Sequence, residues 1–101
     1  MKQIINHEVY DTATAMYLGC FHYGEGSQET WESLYFNPNG RFFLHCRGKP
    51  KSRYGSVKNG KPCSGQRIIL LNDEKGLEWA EHLLTEDRFQ TIKIIVRERI
   101  S

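Results

Sequence analysis

"WESLYFNPNGRFFLHCR", residues 31–47, holds the turn on which the fold reading rests. Asn37-Pro38-Asn39-Gly40 suits a type I turn: Asn opens it, Pro presets φ at the second position, and Gly takes the left-handed position that follows. With Gly40 as a bulge, Asn37 pairs with Arg41, so Phe36 lies opposite Phe42, Leu34 opposite Leu44 and Glu32 opposite Cys46. Side chains alternate across a strand, which puts Leu34, Phe36, Phe42, Leu44 and Cys46 on one core-facing side of the ribbon. Trp31, Tyr35, Phe43, His45 and Arg47 occupy the other. That second face is aromatic and basic, which marks it as a candidate contact surface.

The segments on either side extend the pattern. "RIILL" (67–71) reads as a strand, and its unbroken apolar run predicts a central place in the sheet. Asn72 is placed to cap a helix starting "DEKGLEWAEHLL", with Asp73 and Glu74 favouring the positive end of its dipole. Trp79, Ala80, Leu83 and Leu84 recur at helical spacing and should pack on the sheet. Thr85 is a candidate cap for a second short helix, "EDRFQTI". The last stretch, "KIIVRERI", fits either more helix or a final strand, and its β-branched residues favour the strand. Upstream, "KQII" and "EVY" flank a tight turn at Asn6-His7, and Asp11 can start one helical turn over "DTATA". "MYLGCFHY" is extended, and "GEGSQE" is a loop. The sum is a single α+β domain over residues 1–101: a small antiparallel sheet of four to five strands packed against one or two C-terminal helices.

Size and composition narrow the function. A chain of 101 residues buries one modest core and has no room for a second lobe around a deep cleft. A hydrophobic content of 39% with 12% aromatics is that of a folded domain rather than a disordered one. No apolar run approaches the roughly 20 residues of a membrane helix, and "MKQIINHEVYD" lacks the apolar core of a secretion signal. Cys20, Cys46 and Cys63 are odd in number and form no CxxC pair, which argues against a disulfide scaffold. These features predict a cytoplasmic protein.

The net charge of +2 conceals a strong segregation. Residues 33–71 hold eight bases and no acid, whereas residues 1–32 hold one lysine against five acids. Arg47, Lys49, Lys51, Arg53, Lys58, Lys61 and Arg67, interleaved with Tyr54 and several glycines, read as a mobile, loop-like cationic arm. A solvated loop serving solubility is the plain alternative, but solubility is usually served by mixed signs. The arm is suited to phosphates or an acidic protein surface, with the hairpin aromatics stacking on bases or filling a pocket.

Chemistry finds less support. His7, His22, His45 and His82 accompany no recognisable nucleophile motif, and "GCFHYGEG" has no Lys-Ser or Lys-Thr after it to make a phosphate loop. Glu78/Glu81 and Glu86/Asp87 read as a solvated helix face and a cap. Cys20 and His22 share one side of a strand, and Cys46 and Cys63 offer two further soft ligands, but the spacing matches no zinc finger or ribbon. The expectation is no metal, no cofactor and no catalytic set.

The phrases "KQIINHEVYDTATA", "LYFNPNGRFFLHCRG…SRYG" and "IILLNDEKGLEWAEHLLTEDRF" resemble a group of small proteins carried on plasmids, conjugative elements and phages of Gram-positive bacteria. The group's recurrent phrases are an "IING…YDT.TA" start, an "LY…NG.FFLH..G" hairpin and an "EEA..WAE.HL" helix. Here His7 stands at the usual turn glycine, and the loop after Gly48 is more basic than in the group. The resemblance covers most of the chain and implies residence in accessory regions where anti-CRISPR proteins are also encoded. It thereby implies a non-enzymatic inhibitor that binds a CRISPR effector and blocks its nucleic-acid path. The alternative is a nucleic-acid-binding accessory protein of the mobile element. The contact residues expected for either are Arg47, Lys49, Lys51, Arg53, Tyr54, Lys58, Lys61, Trp31, Tyr35, Phe43 and His45.

Overall fold

In a computed structural model the backbone is described for residues 1–100 and the side chains for residues 1–98. The architecture is α+β. A four-stranded antiparallel sheet carries two helices on one face and a small β-hairpin on the other, with a second small hairpin at one end. The central sheet has the order β3(Met16–Tyr23), β4(Thr30–Phe36), β5(Phe42–Gly48), β8(Gly65–Leu71). The two small hairpins are β1(Lys2–Ile5)–β2(Glu8–Asp11) and β6(Ser56–Lys58)–β7(Lys61–Cys63). Helices α1(Asp73–Leu83) and α2(Glu86–Ile100) follow.

The β4–β5 turn forms as its residues dictate. The Asn37 amide donates to the Arg41 carbonyl at 2.8 Å, the Gly40 amide donates to the Asn37 carbonyl at 2.9 Å, and Gly40 sits at φ 85°. The register is therefore Phe36 with Phe42, Leu34 with Leu44 and Glu32 with Cys46. Leu34, Phe42, Leu44 and Cys46 are buried beneath the helices together with Leu18, Ala80, Ile92 and Val96. Asn72 caps α1 through its side-chain oxygen, which accepts the Lys75 amide at 2.8 Å. Gly76 lets the α1 backbone lie directly on the Phe42 ring, since a Cβ there would fall 2.2 Å from Phe42 Cδ2. Trp79 meets Phe21 edge-on at 5.1 Å, and Leu83 covers Gly19 of β3.

Four sequence expectations change. "RIILL" forms β8 at an edge of the sheet, not at its centre. Its run is apolar because both faces are covered: Ile69 and Leu71 meet the helical core, while Ile68 and Leu70 meet the β1–β2 hairpin. "KIIVRERI" continues α2 through Ile100 rather than forming a strand. Ile92 and Val96, one helical turn apart, reach the core, and that spacing outweighs β-branching. The arm after Gly48 is not one long loop, because Asn59 (φ 52°) and Gly60 (φ 75°) make the tight turn of the β6–β7 hairpin. Phe43, expected on a contact surface, is fully buried.

The burial of Phe43 follows from where the first hairpin docks. Asn6 and His7 both take positive φ, closing β1–β2 in the tight turn their position suggests. Tyr10 then packs edge-on against Phe43 at 5.6 Å, with Ile68 beside it. Asn37 Nδ2 donates to the Val9 carbonyl at 3.0 Å and Arg41 lies 3.6 Å from Glu8, which fastens the hairpin to the β4–β5 turn. The opposite end of the sheet, at Thr30, Gly48 and Gly65, is left for the cationic segment.

Candidate nucleic-acid interface

Register sets the first row of the site. His22 pairs with Trp31, Trp31 with Arg47 and Arg47 with Gln66, so these four side chains stand side by side on one face across all four strands. The His22 ring stacks on Trp31 at 5.0 Å and 4°, and the Arg47 guanidinium lies 5.3 Å from the Trp31 centroid. His22 comes from β3 and Arg47 from β5, on either side of β4, so both faces of the indole are occupied. His22 Nε2 also meets Glu29 at 2.7 Å.

The chain leaving β5 then crosses the end of the sheet. The Lys49 amide donates to the Glu29 carbonyl at 2.9 Å and the Lys51 amide to the Ser27 carbonyl at 2.8 Å. The crossing is close. A Cβ on Gly48 would meet Ser52 Oγ at 1.8 Å, and one on Gly65 would meet the Tyr54 carbonyl at 2.0 Å. Only glycine at both positions lets 49–55 lie on the sheet. The β6–β7 hairpin rises from this crossing, with Ser56 Oγ 3.2 Å from Cys63 Sγ.

Trp31, Arg47, Lys49 and Lys58 line a groove of about 630 Å³ between the sheet end and the β6–β7 hairpin. Its polar lining is completed by Ser56, Ser64 and Gln66, and Tyr54 forms part of its floor. Among the described residues no carboxylate lies within 4.0 Å of the Arg47, Lys49 or Lys58 cationic group. Cations left unpaired around an open concavity make a local positive field that the net charge hides.

Tyr54 faces inward rather than out. It is buried, and its hydroxyl donates to Glu32, itself a buried carboxylate on the helix side of the sheet. Arg53 and Arg67 lie over the Tyr54 ring at 5.3 and 5.1 Å. Tyr23 is within hydrogen-bonding range of Arg53 and Glu32. Burial, with Cys46 and Glu32 alongside, pushes the Tyr54 hydroxyl far above its ordinary value and keeps it a donor at any physiological pH. Burial likewise raises the Cys46 thiol, which makes it a poor nucleophile. The cations thus divide: Arg53 and Arg67 rest on Tyr54 near Glu32, while Arg47, Lys49 and Lys58 face the groove.

The remaining expected contact residues lie elsewhere. Lys51 and Lys61 are exposed near the groove but do not line it. Tyr35 is half-buried in an aromatic ladder, 5.5 Å from Tyr17 and stacked on Phe43 at 5.2 Å. His45 lies between that ladder and the Trp31 row, with Nε2 at 2.8 Å from Gln66 Oε1. Burial lowers the His45 pKa below 6.5, opposed by the Gln66 bond and assisted by Arg47 and the N-terminal ammonium. Cys20 and His22 share one sheet face, Cys46 lies on the other, and Cys63 belongs to the β6–β7 hairpin, so these four do not converge. Among the described residues no group of three or more His, Cys, Asp or Glu is arranged to hold a metal. None of their helices is long and apolar enough to cross a membrane.

Glu32 is the participant that sequence reasoning passes over. Its signal is there: an acid on the core-facing side of a strand, opposite Cys46, must find a buried partner. No family model matches the chain, and no curated protein or solved structure matches it either.

Proposed function

We propose that this protein is a non-enzymatic binding domain that holds the phosphate backbone of a nucleic acid in the groove of Arg47, Lys49 and Lys58. In the setting its resemblance implies, it acts by occupying or competing for the guide or target strand of a CRISPR effector. The observation that carries the reading is the groove itself: three cations with no carboxylate partner among the described residues, beside neutral hydrogen-bond donors. Phosphate oxygens are the ligand that such donors and charges satisfy together. Because His22 and Arg47 cover both faces of Trp31, the indole props up the guanidinium and does not serve as a platform for bases. The reading is therefore backbone binding without sequence preference.

Fluorescence anisotropy with labelled 20-nucleotide DNA and RNA over a salt series tests it. Three neutralised phosphates predict a log K against log salt slope of about −2 to −3, or an affinity loss of about 20- to 40-fold between 50 and 200 mM salt. Lys49→Ala should make that slope shallower by about 1 for every sequence alike. Absence of binding at 50 mM salt refutes the backbone reading. A cleavage assay with excess protein tests the inhibitory role, and undiminished cleavage refutes that part alone.

A further inference from the structure

The segment 49–55 supplies Lys49 and Tyr54 to the groove lining, and its buried side-chain tie to the sheet is the Tyr54–Glu32 contact. Tyr54 and Glu32 are both buried, and the hydroxyl donates to the carboxylate. Glu32 belongs to β4, the strand that also presents Trp31 to the groove on its opposite face. Gly48 and Gly65 give the segment no side chain to rest on, since a Cβ at either position would collide with Ser52 or the Tyr54 carbonyl. Backbone bonds tie Lys49 to Glu29 and Lys51 to Ser27; beyond Lys51 the backbone bonds stay within the segment, and the side-chain ties to the sheet are Arg53 at Tyr23, which is exposed, and Tyr54 at Glu32, which is buried.

We propose that Glu32 and Tyr54 are positioning residues: a latch on the helix side of the sheet that sets the cationic segment 49–55 and so holds the groove in its phosphate-binding shape. This rests on the phosphate-backbone reading above and deepens it. Lys49 and Arg47 would grip the ligand, while Glu32 never touches it. A buried carboxylate in a site for anions would otherwise oppose binding. Here it is buried and accepts the Tyr54 hydroxyl, and Arg53 and Arg67 lie over the ring of the same tyrosine.

Tyr54→Phe keeps the ring and removes only the donor. Amide hydrogen exchange at Ser52 and Gly55 should quicken on the order of tenfold, with α1 and β4 amides unchanged, and affinity for a 20-nucleotide DNA should fall by a similar factor. Glu32→Gln keeps an acceptor for the hydroxyl and should stay within about threefold of the parent in both readouts. Wild-type rates of loop exchange in Tyr54→Phe overturn the latch, and so does a Glu32→Gln variant as loose as Tyr54→Phe. If Tyr54→Phe does not fold, the parent protein decides: unprotected Ser52 and Gly55 amides overturn the proposal, and protection equal to that of the Lys51 amide supports it. A parent protein that binds no oligonucleotide refutes the phosphate reading alone, and loop exchange by itself then upholds or overturns the latch.

Discussion

Gly76 offers a sharp test of how α1 sits on the sheet. In an exposed helix interior, replacing glycine by alanine gains about 1 kcal/mol. At Gly76 the added Cβ would fall 2.2, 2.3 and 2.8 Å from Phe42 Cδ2, Cγ and Cβ. The ring cannot simply rotate away, because the Cβ contact is fixed by the β5 backbone and Phe42 is fully buried. The helix must lift, which loosens Trp79 on Phe21 and Leu83 on Gly19. Overpacking of this kind costs about 1–3 kcal/mol, and the backbone-proximal clash argues for the upper end. Offset by the helix-propensity gain, the net loss is about 1–2 kcal/mol, or a fall in Tm of roughly 5–15 °C for a domain of this size. Thermal unfolding followed by circular dichroism measures it. Combining Gly76→Ala with Phe42→Leu should cost less than the sum of the two single changes by about 1 kcal/mol, because the smaller side chain makes room. A Gly76→Ala protein as stable as its parent, or more so, refutes the close approach of α1 to Phe42.

Two further outcomes concern the sheet face and the small hairpin. His45 has a folded pKa below its ordinary 6.5, so the unfolded chain takes up a proton first as pH falls. The stability tied to His45 is then complete above about pH 6.5 and declines below it; His45→Gln should flatten Tm between pH 7 and 5, and an unchanged slope refutes the assignment. Gly60 sits at φ 75°, so Gly60→Val should cost about 1–2 kcal/mol locally and open β6–β7. Tm should stay near the parent value because that hairpin pairs with no other strand, while oligonucleotide affinity at 50 mM salt should drop as Lys58 leaves the groove. Retained cross-strand NOEs between Val57 and Pro62 together with full affinity would contradict this.

Features settled within a few residues were legible from the sequence. Asn37-Pro38-Asn39-Gly40 selects one turn, that turn fixes the register of β4 on β5, and the register assigns Leu34, Phe42, Leu44 and Cys46 to the core. Asn6-His7 and the Asn72 cap are of the same kind, because φ preference and a side-chain acceptor act locally. The Asn59-Gly60 turn was equally local, but the density of charge around it disguised two three-residue strands as loop. The groove was legible only in part. Its cations stood out in the sequence, and Trp31 and Arg47 fell on one face by alternation alone.

What only the tertiary structure decided was which surfaces are covered. Phe43 and Tyr35 share the alternation of Trp31, yet one end of that face lies under Tyr10, donated by a hairpin thirty-odd positions earlier, and the other end is open. β8 reads as a central strand because burial on two faces leaves the same apolar imprint at an edge as in the middle. Residues 93–100 are helix because Ile92 and Val96 have a core to meet and no strand edge claims them. The separation of Arg53 and Arg67 from Arg47, Lys49 and Lys58 depends on where Tyr54 and Glu32 come together, 22 positions apart in the chain. Backbone dihedrals and caps are short-range forces written residue by residue. Burial belongs to surfaces that exist only once distant segments have packed.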